Sequence, residues 1–230
     1  MFGFYHESLN YKNQLPNKKF CCFVRRACPV RQSWFYFFIR HDLLDQAHLS
    51  YLLGNLELVT GNLKHFEEYY FAGNQIFEKE HTWAVANLTF PYKNFTIPKV
   101  DAIIDSERSL IFETFFSEEN IITFSHKTFQ ALQLPRPVLI FGHKGIVSQF
   151  RDWGFDMYDD IIDHSYDLEP DFILRQQLIL DQLTVDINYT EELLQNFEQR
   201  ATHNQNLLKQ YKKEWPMFLE TIYKQIKGLA

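Results

Sequence analysis

No apolar run in this sequence exceeds six residues. The longest, Trp34 to Ile39, falls far short of the roughly 20 residues that cross a bilayer, so no spanning helix is expected. The opening residues carry no charged–apolar–small pattern, because Glu7, Asn10 and Lys12 interrupt it, and no secretory signal is expected. Glycine and proline are scarce, eight of each in 230 residues, which excludes collagen-like and low-complexity chains. The three cysteines, Cys21, Cys22 and Cys28, cannot close a disulfide framework and fall one short of a Cys-only structural zinc site. Free thiols suit a reducing compartment, and a soluble, cytoplasmic protein is the expectation. HxxxH, HExxH, G-x-S-x-G, GxGxxG and P-loop spacings are all missing, so no metal site, nucleophile elbow or dinucleotide fingerprint is supported.

Aromatic residues are what the chain has in excess. The 23 Phe, 12 Tyr and 4 Trp make up 17% of it. With 46% hydrophobic and 23% charged residues, the composition is that of a folded globular chain. The net charge of −6 hides an asymmetry: seven Lys/Arg face the single acid Glu7 within residues 1–40, and the remainder is strongly acidic. An acidic body supplies no global field for counterion release, which argues against nucleic acid as a partner. The basic start remains a candidate local anion site.

Pattern and punctuation outline an α/β chain. Phe20 to Val24 reads as a buried strand, and Gln32 to about Asp45 as a helix striped by Trp34, Phe35, Phe38, Ile39 and Leu43. Residues 50–100 are weakly patterned and suggest a second strand–helix region. Ser109 to Phe112 is a short strand, residues 114–124 a loop, and Ser125 the N-cap of a helix over 126–133 that Pro135 and Pro137 end. Val138 to Phe141 is a strand, and Ile146 to Trp153 a helix with Gly154 just past its end. Such an alternation predicts a parallel sheet with right-handed crossovers. The tail reads as helices from Pro170, from Thr190 and from Pro216.

Two strand-to-helix junctions could receive an anion. In Phe124-Ser125-His126-Lys127-Thr128, a capped helix start would aim the N–H groups of His126, Lys127 and Thr128 outward, with the Lys127 charge beside them. That arrangement suits a phosphate or diphosphate at the carboxyl end of a parallel strand. Gly142-His143-Lys144-Gly145 is a second such loop, read as a tight turn. Asp159-Asp160-x-x-Asp163 has the look of a magnesium–diphosphate motif but reads better as a solvated acidic loop, since no second acidic motif accompanies it.

Several segments taken in order resemble a known family. Lys19-Phe20-Cys21-Cys22-Phe23-Val24, followed by Arg31-Gln32-Ser33-Trp34-Phe35-Tyr36, is similar to the buried strand and helix start of fucosyltransferase-type enzymes. Ser109 to Thr114, Phe124 to Leu132 and Pro137 to Gly142 resemble their donor motif, roughly F-E-N, then T-E-K-x-x-x-A, then P-V-x-x-G. Gly154-Phe155-Asp156-Met157-Tyr158-Asp159-Asp160-Ile161-Ile162-Asp163-His164-Ser165-Tyr166-Asp167 resembles a segment of phage and bacterial glycosyltransferase-like proteins. The likeness covers about 18–45 and 105–185.

The resemblance implies the nucleotide-sugar lobe of a GT-B glycosyltransferase, a Rossmann-like parallel sheet with flanking helices and a C-terminal helical segment. It implies a nucleotide-diphosphate sugar as donor, an acceptor hydroxyl, and no metal or other cofactor. Arg31 and Lys127 match the residues that hold the donor diphosphate, and Arg25, Arg26 and Pro29 match the first motif, the N-R-R-x-R-P-H-R that the phage and bacterial group carries near its start. Glu113 matches the F-E acid, flanked in the chain by Thr114 where the motif has Asn. His126 stands where the motif has its ribose-binding Glu, and Val24 and Val30 replace the first motif's Asn and His. The implied donor-site set is Arg31, Arg25, Glu113, Ser125, His126, Lys127 and Thr128. The expected organisation is an aromatic-rich N-terminal region over 1–100, a Rossmann-like donor core over 101–185, and helices over 186–230 packed on that core. Two full lobes want about 350 residues, so a complete acceptor lobe is not expected. A catalytically silent binding module is the alternative to an enzyme. A DNA-modifying transferase is a weaker third, because of the acidic body.

Overall fold

The computed structural model describes residues 14–24, 31, 34, 37, 38, 41–51, 100–113 and 124–226. Arg25, Arg26, Cys28, Pro29, Thr114 and most of the weakly patterned 50–100 region lie outside the described residues, as do the loop after Glu113 and the aromatics of 65–95.

Among the described residues, four strands make one sheet. They are β1 (Lys18–Val24), β2 (Ala47–Tyr51), β3 (Ser106–Phe112) and β4 (Val138–Phe141), in the spatial order β2-β1-β3-β4 with every pair parallel. β1 runs Phe20-Cys21-Cys22-Phe23-Val24 without a polar break because a central parallel strand is covered on both faces. Alternate residues face opposite layers. Phe20, Cys22 and Val24 join Trp34 and Phe38 in the larger core, while Cys21 and Phe23 pack with Ala102, Ile103, Ile104 and Leu134. Trp34 is fully buried, its ring 5.4 Å from Phe112 and 5.3 Å from Phe141. The expected α/β class with a parallel sheet and flanking helices is therefore present.

The helices are α1 (Val100–Ile104), α2 (His126–Ala131), α3 (Ile146–Asp152), α4 (Phe172–Thr184) and α5 (Glu191–Ile226), with a 3-10 turn at Ser165–Leu168. α3 ends as expected, on Gly154 at φ +84°, where a left-handed residue closes the last turn. None of the described helices is long and apolar enough to cross a membrane.

Several boundaries differ from expectation. Arg31, Trp34, Phe37 and Phe38 are helical, but the helix does not reach Asp45. Asp42 turns left-handed at φ +52°, and the Leu43 N–H bonds back to the Phe38 carbonyl at 2.9 Å. That is the six-to-one closure of a Schellman end, with buried Leu43 as its apolar anchor. The chain is thereby freed to form β2, a short strand lying directly after the helix. β3 begins three residues early at Ser106, because Arg108 is buried in it and its guanidinium donates to the Gln182 and Val185 carbonyls. α4 starts after Asp171, whose carboxylate accepts the Leu174 N–H at 2.8 Å, rather than at Pro170. The expected break at Pro216 is absent: α5 continues through it as one 36-residue helix, forgoing the single bond that proline cannot donate.

Candidate functional site

Strand order defines one special place. From β1 the sheet grows to β2 on one side and through β3 to β4 on the other, so the crossovers diverge between β1 and β3. Ligands of open α/β sheets bind outside the carboxyl ends of the strands at such a switch point. Those ends here are Val24 and Phe112, and the sequence-nominated residues gather around them.

Glu113 is the first residue past β3. Its N–H donates to the Phe141 carbonyl at 2.9 Å, and its own carbonyl accepts from Arg31 Nη2 at 3.2 Å. Its carboxylate, only 1% exposed, accepts the Ser125 N–H on Oε2 at 2.7 Å and the Thr128 hydroxyl on Oε1. Burial pushes this carboxyl above the usual glutamate range, opposed by the Thr128 and Ser125 hydrogen bonds and by Lys127. Gly142, at the end of β4, leaves it room. A Cβ there would lie 3.1 Å from the Glu113 Cβ and Cγ.

Ser125 occupies the N-cap position with extended backbone, φ −93° and ψ 156°, but its hydroxyl makes no capping bond. The capping group is the Glu113 carboxylate, twelve residues earlier in the chain. A side chain of the protein thus sits beside the start of this six-residue helix, on the Ser125 N–H and the Thr128 hydroxyl. Lys127 reaches the neighbouring strand, its Nζ donating to the Phe23 carbonyl at 2.8 Å, and His126 is exposed on the first turn. Arg31 is buried, 5% exposed. Burial, with a further push from Cys21, raises the Cys22 thiol, and Lys127 and Arg31 oppose it. Arg31, Glu113, Ser125, His126, Lys127 and Thr128 therefore share one end of β1 and β3, while Arg25 lies outside the described residues.

The second junction is filled as well. The α3 N-terminus is met by the Asp167 carboxylate, which accepts the Val147 and Ser148 N–H groups, each at 3.0 Å. Arg175 donates to the Gly142 carbonyl at 2.9 Å and the His143 carbonyl at 3.0 Å. The tight-turn reading of Gly142–Gly145 stands, with Gly145 at φ +82°. The acidic segment is an exposed loop, as expected, and its carboxylates have partners at the surface. Asp159 pairs with Arg151 and Asp160 with Arg200, each in bidentate contact, and Asp163 accepts the Ser165 N–H at 2.8 Å. The Arg151 hydrogen bond holds the Asp159 carboxyl below its ordinary value, and Arg200 does the same for Asp160. Among the described residues no group of three or more His, Cys, Asp or Glu is placed to hold a metal ion. An open depression of about 710 Å³ lies along Ser148, Arg151, Asp159, His164, Gln182 and Val185, a lining that includes none of the switch-point residues.

Sequence reasoning missed Asp167 and Arg175 as the groups that close the second junction. The only signal was their chemistry, since both partners are distant in sequence. What the fold and site define is an open parallel α/β sheet with two cations and a buried carboxylate at its switch point. No family model matches the chain, and no curated protein or solved structure matches it.

Proposed function

We propose that the protein is a glycosyltransferase-like protein of GT-B type that binds a nucleotide-diphosphate sugar over the carboxyl ends of β1 and β3 and transfers its sugar to an acceptor hydroxyl. The observation that carries this reading is the approach of Arg31 and Lys127, from separate helical segments, to adjacent strand ends at the switch point. Two fixed cations suit the diphosphate that leaves when the acceptor oxygen attacks the sugar's anomeric carbon. The breaking C–O bond gives its electron pair to the phosphate oxygen, and the charge developing there is what preorganised cations stabilise. In this reading Lys127 exchanges the Phe23 carbonyl for a phosphate oxygen. The loss is one neutral acceptor, a net of about 0.5–1.5 kcal/mol, and a charge-assisted contact replaces it. Exposed His126 is the side chain placed to meet a ribose hydroxyl beside Lys127.

A second reading, a catalytically silent module on the same fold, is favoured by one specific observation. Both Glu113 oxygens, the Arg31 guanidinium and the Lys127 ammonium already have partners within the protein.

A thermal-shift and calorimetric panel of GDP, UDP, ADP and CMP separates the two. The donor-site reading expects one nucleotide to bind at micromolar concentration, with affinity falling at least tenfold in both Lys127→Ala and Arg31→Ala. Absence of binding by the folded wild-type protein to every nucleotide leaves the silent module.

A further inference from the structure

We infer that Glu113 is the positioning residue that aims both cations of the switch point. The inference rests on the donor-site reading for its purpose but not for its test. Its side chain and its main chain act on different partners. The carboxylate holds the backbone of Ser125 on one oxygen and the hydroxyl of Thr128 on the other. Lys127 lies between these two anchored positions, so the direction of its side chain, and with it the 2.8 Å contact of Nζ with the Phe23 carbonyl, is set by the carboxylate beneath. The Glu113 carbonyl holds Arg31 Nη2, and its N–H ties the same residue to the Phe141 carbonyl on β4. One residue thus links β3, β4, α2 and the helical position of Arg31.

Nothing smaller would serve. An aspartate is one methylene shorter and cannot reach both Ser125 N and Thr128 Oγ1 from the same backbone. A glutamine can still meet both partners, its oxygen accepting the Ser125 N–H and its NH2 donating to the Thr128 hydroxyl, whereas a leucine of similar size meets neither. The packing is equally specific. The neighbouring strand leaves space for the Glu113 stem only because position 142 is glycine, where an added Cβ would also come within 3.0 Å of Ile146 Cδ1. At 1% exposure the carboxylate does not meet a ligand itself, so its role is to hold and not to react.

A plain capping role would stabilise α2 without directing Lys127, and the two are separable. Competitive acetylation of the full-length protein, read by mass spectrometry, reports the accessibility of the Lys127 amine against exposed Lys144 as internal standard. Positioning expects Lys127 to react about tenfold faster in Glu113→Leu and in Thr128→Val, under conditions where circular dichroism shows each variant folded. Ala131→Gly weakens the same helix without touching Glu113, and should leave the ratio at the wild-type value. An unchanged ratio in the folded Thr128→Val or Glu113→Leu protein overturns the inference, as does an equal rise in Ala131→Gly. Thr128→Val keeps the test decisive if Glu113→Leu fails to fold. None of these readouts uses a nucleotide, so a failure of the nucleotide panel and a failure of positioning are distinguishable.

Discussion

His164 shows how much one buried side chain fixes. Its Nδ1 lies 2.9 Å from the Tyr166 hydroxyl and its Nε2 2.8 Å from the Met157 carbonyl. A carbonyl only accepts, so Nε2 carries the proton; the Tyr166 hydroxyl, which itself accepts the Ile140 N–H at 3.1 Å, then donates to Nδ1. Every role in this chain requires the neutral ring. Burial lowers the His164 pKa below its ordinary 6.5, against the opposing pull of the Met157 carbonyl and Asp159. The unfolded chain takes up a proton near that ordinary value and the folded ring does so only at lower pH. The stability this site contributes is therefore full above about pH 6.5 and declines as pH falls through the folded value. Urea unfolding at pH 7.5 and pH 5.5 should show a larger acid loss in the wild type than in His164→Gln. Equal losses in the two proteins would remove His164 as the cause. Glu113 is displaced in the opposite sense: with its carboxyl raised, its ionisation weakens the fold as pH climbs from the ordinary glutamate range through the folded value.

At the scale of elements, β4 is the outermost described strand on its side of the sheet, and outer strands expose unpaired backbone groups. Here the outward N–H of Ile140 is met by the Tyr166 hydroxyl and the following Gly142 carbonyl by Arg175. The stretch from Ser165 into α4 is thus a cover for that edge. Tyr166→Phe keeps the ring but strips the hydroxyl, leaving one buried N–H and the His164 Nδ1 without their partner. We expect a loss of about 1–3 kcal/mol in chemical denaturation with an unchanged m-value. A loss below about 0.5 kcal/mol would mean that water replaces the hydroxyl.

Elements were legible in the sequence in proportion to how local their causes are. Phe20–Val24, Val138–Phe141 and the α3–Gly154 ending rest on contiguous apolar runs and a glycine, and each appears where the pattern puts it. β2 was missed although Ala47-His48-Leu49-Ser50-Tyr51 alternates as a strand does: it is short, follows directly on a helical pattern, and its His48 bonds Asp105 at 2.8 Å, a partner no local pattern reveals. The residues of the candidate site were nominated from motif order, but their geometry was not legible. Glu113, Asp167 and Arg175 each complete a junction formed by another segment, so their roles exist only once the strands are side by side.

For the whole molecule, the buried arginines show the same dependence on assembly. Arg136 is fully buried and donates to the Ile104 and Ser106 carbonyls at 3.0 and 2.9 Å, to Pro135 at 2.8 Å and to Gln14 at 2.7 Å. It ties the residues before β1 to the start of β3 with its charge met largely by carbonyl dipoles. At the surface, Asp159 and Asp160 join the segment between α3 and α5 to those helices through Arg151 and Arg200.

The strand order also sets a sequence of events in time. β1 lies at the middle of the sheet, yet its partner on one side, β3, is far along the chain: Cys21 and Ser109, in register and 3.3 Å apart at their side chains, are 88 residues apart in sequence. The search that brings such distant segments together costs entropy that grows with loop length, and folds dominated by long-range pairing form slowly. Pairing of β1 with β2 spans a much shorter loop and can come first. Ser109→Ala, which removes the hydroxyl facing Cys21, should then chiefly accelerate unfolding in stopped-flow measurements and leave refolding nearly unchanged. A slowed refolding limb would instead put the β1–β3 seam in the rate-limiting step. With β1–β3 pairing late, the switch point between them, where Arg31 and Lys127 are held, takes shape only after segments 88 residues apart have met.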